Sequence, residues 1–181
     1  MITRADSKSL SLTLDAFNVM PKDRAGECLL RCCGSTRWAE RMTAARPFKT
    51  MENILSEALR HWHELEDQDW LEAFGHHPRI GDITSLREKY ASTANWATEE
   101  QRGAASASDE TLKRLATGNS NYEKKFGHIF LVCATGKSAA EMLQILESRM
   151  IHDHKTEMKV AVTEQAKITR LRLEKLFPDE T

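Results

Sequence analysis

Residues that interrupt helices are scarce in this chain: eight glycines and four prolines among 181 residues. The remainder is 40% hydrophobic and 29% charged, a soluble and helix-leaning composition. Net charge is nearly absent as well. Lys and Arg total 26 against 27 Asp and Glu, so the chain carries no electrostatic footprint for a nucleic acid. No apolar run approaches the roughly 18 residues that a membrane span needs. The opening "MITRADSKSLSLTLD" lacks the apolar core of a signal peptide, and the closing "LFPDET" carries no peroxisomal or ER address. Cys28, Cys32, Cys33 and Cys133 form no C-x-x-C pair and no disulfide-scaffold density. These gaps leave a cytoplasmic protein with reduced, mostly buried thiols. At 20.6 kDa it fits one domain, able to bury about two-thirds of its unfolded surface without metal or disulfide.

Helical periodicity runs through most of the sequence. Residues 22–33 place Ala25, Leu29 and Cys32 on one face, with Gly34 as the stop. Ser35 is positioned to cap the next helix, in which Trp38, Met42 and Ala45 recur before Pro47. Ile54, Leu55, Ala58, Leu59 and Trp62 form a broad stripe over residues 51–62. Asp67 can cap a short helix through Trp70, Leu71 and Phe74 that ends at Gly75. Residues 75–98 are the least regular stretch, with a short helix expected at residues 85–90. One helix is then expected from Thr98 and another from Asp109 to Phe126. "IFLVCATG", residues 129–136, reads as a buried extended segment or a helix start. Ser138 and Glu141 make a capping box, and a last helix carries Met158, Val162, Ala166, Leu173 and Leu176. Without repeat or linker, these elements predict an all-α, single-domain bundle of about eight helices.

Against that background "FGHHPRIGD", residues 74–82, stands out. Pro78 keeps His77 out of the α region, and Gly81 permits a turn soon after. An imidazole on so fixed a backbone suits a general acid or base, because it titrates near neutrality and its position must be accurate. The alternative is a loop histidine capping a helix end. A metal site finds less support. His61 with His63 and His152 with His154 are i,i+2 pairs, which do not share a helix face, and no H-E-x-x-H occurs.

Other segments leave alternatives open. In "NWATEEQRGA", residues 95–104, Thr98 is a good N-cap, with Glu99, Glu100 and Gln101 in the first turn. Helix-dipole stabilisation alone would select those acids, although they could equally grip a polar heterocycle. In residues 119–136, Asn119, Tyr122 and Phe126 share a face ahead of Gly127, and the backbone N–H groups that follow could line a pocket or simply belong to the core. Arg170 and Arg172 lie in a mainly apolar last helix, either snorkelling at the surface or binding an anion.

Taken in order, "HPRIG", "WATEEQ", "N-x-x-Y-x-x-K-F-G" and "R-x-R-L", with "STRWAERMTAARPF" ahead of them, resemble the OHCU decarboxylases from about Leu14 to Phe177. Those enzymes act on 2-oxo-4-hydroxy-4-carboxy-5-ureidoimidazoline in the oxidation of urate to allantoin. The resemblance implies an all-α fold, usually a homodimer, with no metal and no organic cofactor. It makes His77 the catalytic histidine, with Pro78 beside it at the substrate. Glu100 and Gln101 match the family's "EQ" pair, and Ala97, Thr98 and Glu99 complete that wall. Residues 128–132 (His128, Ile129, Phe130, Leu131 and Val132) match a segment whose backbone meets the substrate. Arg172 matches an arginine of the last helix.

Three positions depart from the pattern. Ala97 stands where Ser is common, His128–Ile129–Phe130 where F-P-F is frequent, and His152 where Asn is frequent. The implied activity is a cofactor-free decarboxylation giving S-allantoin, with His77 and Glu100 as the catalytic pair. A decarboxylase of a related ureido or imidazoline acid, a zinc hydrolase, or a non-catalytic helical interaction protein are the other readings.

Overall fold

A computed structural model describes residues 12–77 and 102–178, with side chains from residue 109 onward in the second stretch. Among these residues are eight helices and no strand, the all-α architecture that the periodicity predicts. They are α1 Leu14–Val19, α2 Lys22–Cys33, α3 Thr36–Ala44, α4 Met51–His63, α5 Asp67–Gly75, α6 Arg102–Phe126, α7 Ala139–Arg149 and α8 His154–Leu176. The chain divides into two compact units, residues 1–73 with 166–181, and residues 74–165.

In the first unit, Gly34 ends α2 with φ 87°, a left-handed conformation that a side chain would strain. Ser35 caps α3, accepting a hydrogen bond from the Trp38 N–H at 3.3 Å. Trp38 is fully buried and donates its indole N–H to the Ala58 carbonyl of α4 at 2.9 Å, so it supplies both apolar area and a satisfied polar edge. Phe17 of α1 packs edge-on against Phe177 at 5.0 Å, joining the two ends of the chain. Arg46 donates to the carbonyls of Phe17 and Met20, each at 2.8 Å, closing the C-terminus of α1.

Two expectations for this unit need correction. Leu59 is 49% exposed, and His61 takes the buried place beside Ile54, Ala58 and Trp62. Asp67 is the first helical residue of α5 and not its cap; the Glu66 carbonyl already accepts from the Asp69 and Trp70 N–H groups.

The second unit is built on α6 against α7. Leu112, Leu115, Tyr122 and Phe126 of α6 meet Met142, Leu143 and Leu146 of α7, together with Phe130 and Val132. Gly118 permits the close approach: a Cβ there would meet Leu146 Cδ2 at 2.6 Å. Asp109 does not begin a helix, since α6 runs unbroken from Arg102 and tolerates Gly103 and Gly118 within it. Ser138 and Glu141 form the expected capping box at α7.

α8 contributes its first half to this unit and its second half to the other. Its buried face differs from the predicted stripe. Glu157, Ala161, Val162, Gln165, Thr169 and Leu173 are buried, whereas Met158, Ala166 and Leu176 are only half-buried. Three polar residues occupy that face, so a pattern drawn from apolar residues alone mistakes its phase.

Candidate active site

α5 stops at Gly75, and the His77 N–H donates back to the Phe74 carbonyl at 3.2 Å. The turn exposes His76 and leaves His77 half-buried, so the two neighbours face different surroundings. His77 Nε2 donates to Oε1 of Gln165 at 2.6 Å, and Gln165 is fully buried on α8. Sequence reasoning missed this amide, which lies 88 residues away along the chain. The available signal was a polar residue three positions after Val162, in phase with the core of the last helix.

Residues 128–132 follow Gly127, whose φ of 77° turns the chain out of α6. The segment is neither helix nor strand, which decides for a non-helical buried stretch over a helix start. His128, Phe130, Leu131 and Val132 are all buried. Side chains from two helices hold its backbone. Arg149 of α7 donates to the Leu131 carbonyl at 2.6 Å and lies 4.8 Å from the Phe130 ring centroid. Glu164 of α8 accepts the Cys133 N–H at 2.7 Å. By contrast, the N–H groups of residues 129–132 make no hydrogen bond among the described residues. Buried N–H groups are seldom left unmatched in a folded protein, so these N–H groups are candidates for contact with a ligand.

Arg149 is itself anchored in a buried cluster. Its Nε donates to Glu157 Oε1 at 2.7 Å, and its Nη2 reaches the same oxygen and the Tyr122 hydroxyl. The Tyr122 O–H also donates to Glu157, and His152 Nδ1 donates to the other carboxylate oxygen at 2.7 Å. Burial pushes the Glu157 carboxyl up, but the hydrogen bonds from Arg149, Tyr122 and His152 outweigh it and hold the group below its usual value. Burial and the adjacent carboxylate push the Tyr122 phenol up, so it remains a donor. His152, where the family frequently has Asn, thus serves a structural bond. Neither Arg149 nor Glu157 was singled out by sequence, because a charged residue at a helix end normally reads as solvated surface.

The His128 ring packs 5.2 Å from Phe74 and edge-on to Tyr122 at 5.5 Å. Burial lowers its pKa, opposed by the bond its Nδ1 makes to the Ile129 carbonyl at 3.0 Å. It therefore substitutes for an aromatic side chain in an aromatic cluster, as a neutral ring. Arg172 lies in the first unit, where its Nη1 donates to the carbonyls of Arg31 and Cys32 at 3.5 and 3.1 Å, closing the C-terminus of α2. Arg170 instead pairs with Glu174 at 2.8 Å on the surface. Pro78, Ala97, Thr98, Glu99, Glu100 and Gln101 lie outside the described residues. Of the expected site, the second unit therefore holds His77 and residues 128–132, and it adds Gln165, Arg149, Glu157 and Glu164.

The family model for OHCU decarboxylase matches residues 18–174, running through both units. Over 149 residues the chain is 38% identical to the uric acid degradation bifunctional protein TTL of Arabidopsis thaliana, covering 82% of this chain and 46% of that protein. It thus spans about half the length of that relative. A 2-oxo-4-hydroxy-4-carboxy-5-ureidoimidazoline decarboxylase of Haloferax volcanii is 27% identical over 170 residues, covering 93% of this chain and 98% of the relative. Among solved structures, an OHCU decarboxylase crystallised in the presence of (S)-allantoin superposes with TM-score 0.69 and 35% identity, covering 85% of this chain and 99% of the other.

Proposed function

The chain belongs to the OHCU decarboxylase family, and from that premise we propose that it converts 2-oxo-4-hydroxy-4-carboxy-5-ureidoimidazoline to (S)-allantoin, with His77 moving the proton. The observation that carries this reading is an imidazole just past a helix end, fixed at one nitrogen by a buried amide. The substrate bears a carboxylate and a hydroxyl on one ring carbon, beside a C=N bond. When the bond to CO2 breaks, its electron pair passes into that C=N and gives an enolate-like anion. The hydroxyl proton leaves as the ring carbonyl forms, the ring nitrogen that received the pair takes up a proton, and one proton is delivered to the carbon bearing the ureido group. The ring itself takes up the electron pair, so the chemistry requires no cofactor.

The protein must orient the carboxylate out of the ring plane, remove water from it and deliver the proton on one face. His77 is assigned the proton transfer. Glu100 holds the hydroxyl or ureido group and tunes the imidazole. Gln101 and the N–H row of residues 129–132 read the amide edges of the ring, and Pro78, Ala97, Thr98 and the backbone of Glu99 complete the wall. Arg172, whose guanidinium bonds α2, is proposed as a substrate contact on the resemblance alone. The reading extends to a homodimer in the cytoplasm acting on a small molecule, without a nucleic-acid or membrane partner. No helix among the described residues is long and apolar enough to cross a membrane.

Glu100 and Glu99 test the assignment, because local physics treats them alike. With the helix that the sequence leads one to expect from Thr98, both positions would gain similarly from its N-terminus, within about 1 kcal/mol. Successive helical positions point about 100° apart, so only one of the two can face His77. Glu100→Gln is expected to cut kcat/KM strongly while the thermal midpoint stays level or rises. Glu99→Gln is expected to change neither. Steady-state kinetics and thermal melts of the two variants decide; an inactive Glu99→Gln would shift the register of the whole 97–101 wall by one residue.

A further inference from the structure

α8 sends three polar side chains to the candidate site. Glu157 anchors the arginine that holds Leu131, Glu164 takes the Cys133 N–H, and Gln165 takes His77. The last of these has a chemical consequence. A neutral imidazole carries one N–H, and its tautomer is set by what the other atoms of the site accept or donate. The Gln165 carbonyl oxygen can only accept, so Nε2 of His77 must keep its proton. The nitrogen whose protonation can change is then Nδ1.

We propose that Gln165 is a positioning residue for the decarboxylation, fixing His77 as the Nε2–H tautomer so that the transferable proton belongs to Nδ1. This rests on the assignment of proton transfer to His77. An amide suits the role better than a carboxylate. Asp or Glu at this position would fix the same tautomer but would also stabilise the imidazolium, raising its pKa and weakening it as a proton donor to the ring carbanion. The neutral amide sets geometry and tautomer without adding charge. Gln165 itself is fully buried, so it holds the imidazole from the protein side. The neighbouring carboxylate of Glu164 is directed at the Cys133 N–H.

Two substitutions separate positioning from simple support. Gln165→Leu removes the acceptor at similar volume, and Gln165→Glu keeps the acceptor but adds a charge. Gln165→Leu is expected to lower kcat at least tenfold with little change in KM, as for loss of an interaction that matters in the transition state. Gln165→Glu is expected to retain more activity at high pH and to move the His77 limb of the pH–rate profile upward by about one unit or more. Independently of turnover, 15N-edited NMR of the imidazole nitrogens in the unsubstituted protein should show His77 protonated at Nε2 at neutral pH, assigned with His77→Asn. A protonated Nδ1 with bare Nε2 would overturn the proposal and leave the decarboxylase reading intact. So would a Gln165→Leu variant with unchanged kcat, or a Gln165→Glu profile identical to the unsubstituted one. Full activity in His77→Asn would instead sink the assignment on which the proposal rests.

Discussion

Replacing His77 with Ala or Asn should lower turnover by at least about 10²-fold, the usual loss when a positioned proton donor is removed, while His76→Ala retains most of its activity. The contrast follows from the turn after α5. His76 is exposed, whereas His77 is half-buried and bonded through Nε2 to Gln165. Both residues share the same backbone, so a general disturbance of the loop would affect the two variants similarly. Only a specific role for one imidazole separates them. The measurement is kcat and kcat/KM for both variants beside thermal melts, which should differ little because neither side chain fills the core. Equal losses would mean that the two histidines have been given the wrong roles.

Glu157→Gln should destabilise the fold by about 3–5 kcal/mol, the cost of leaving a buried cation without its counter-ion. Glu157 is fully buried and Arg149 is 4% exposed, so water cannot replace the lost partner. For a chain of this size that amounts to roughly 10 °C in thermal midpoint. The same carboxylate gives a definite pH dependence. Its folded pKa lies below the unfolded value of about 4.3, because the bonds from Arg149, Tyr122 and His152 overcome the opposing effect of burial. The stability it contributes is therefore present above that pH and is lost as pH falls through the folded pKa. Thermal melts between neutral pH and pH 3 should show a shallower acid limb in Glu157→Gln than in the unsubstituted protein.

A double variant, Arg149→Met with Glu157→Leu, should recover much of the lost stability, since an apolar pair can replace a buried ion pair. It should not recover activity, because the Leu131 carbonyl has lost the donor that holds the 129–132 backbone in place. If the double variant melts no higher than Glu157→Gln, the cluster is not behaving as a paired charge.

Much of the helical framework was legible because its signals are local. Gly34 in the left-handed region, Ser35 as a cap and the Ser138–Glu141 box each act within four residues of where they are read. His77 was legible for a similar reason, since Pro78 restricts it directly. What escaped was set by partners distant in sequence. Gln165 meets His77 across 88 residues, and Arg149 reaches Leu131 across 18. The core face of α8 was misphased because Glu157, Gln165 and Thr169 are buried there with partners that pattern reading cannot supply. The sequence divides α6 at Asp109 because small residues and a potential cap resemble a helix start, whereas the helix runs on from Arg102. For residues 128–132 the sequence left a pocket lining and plain core both open, since a short apolar run does not say where its N–H groups find partners.

Freshly generated 2-oxo-4-hydroxy-4-carboxy-5-ureidoimidazoline decays without a catalyst to racemic allantoin, so circular dichroism at a wavelength where allantoin is optically active reports both rate and handedness. With the purified chain added, the signal should rise with enzyme concentration to that of (S)-allantoin, and His77→Asn should abolish the rise. A signal that stays at the uncatalysed, racemic baseline at every concentration of folded protein would contradict decarboxylation at His77.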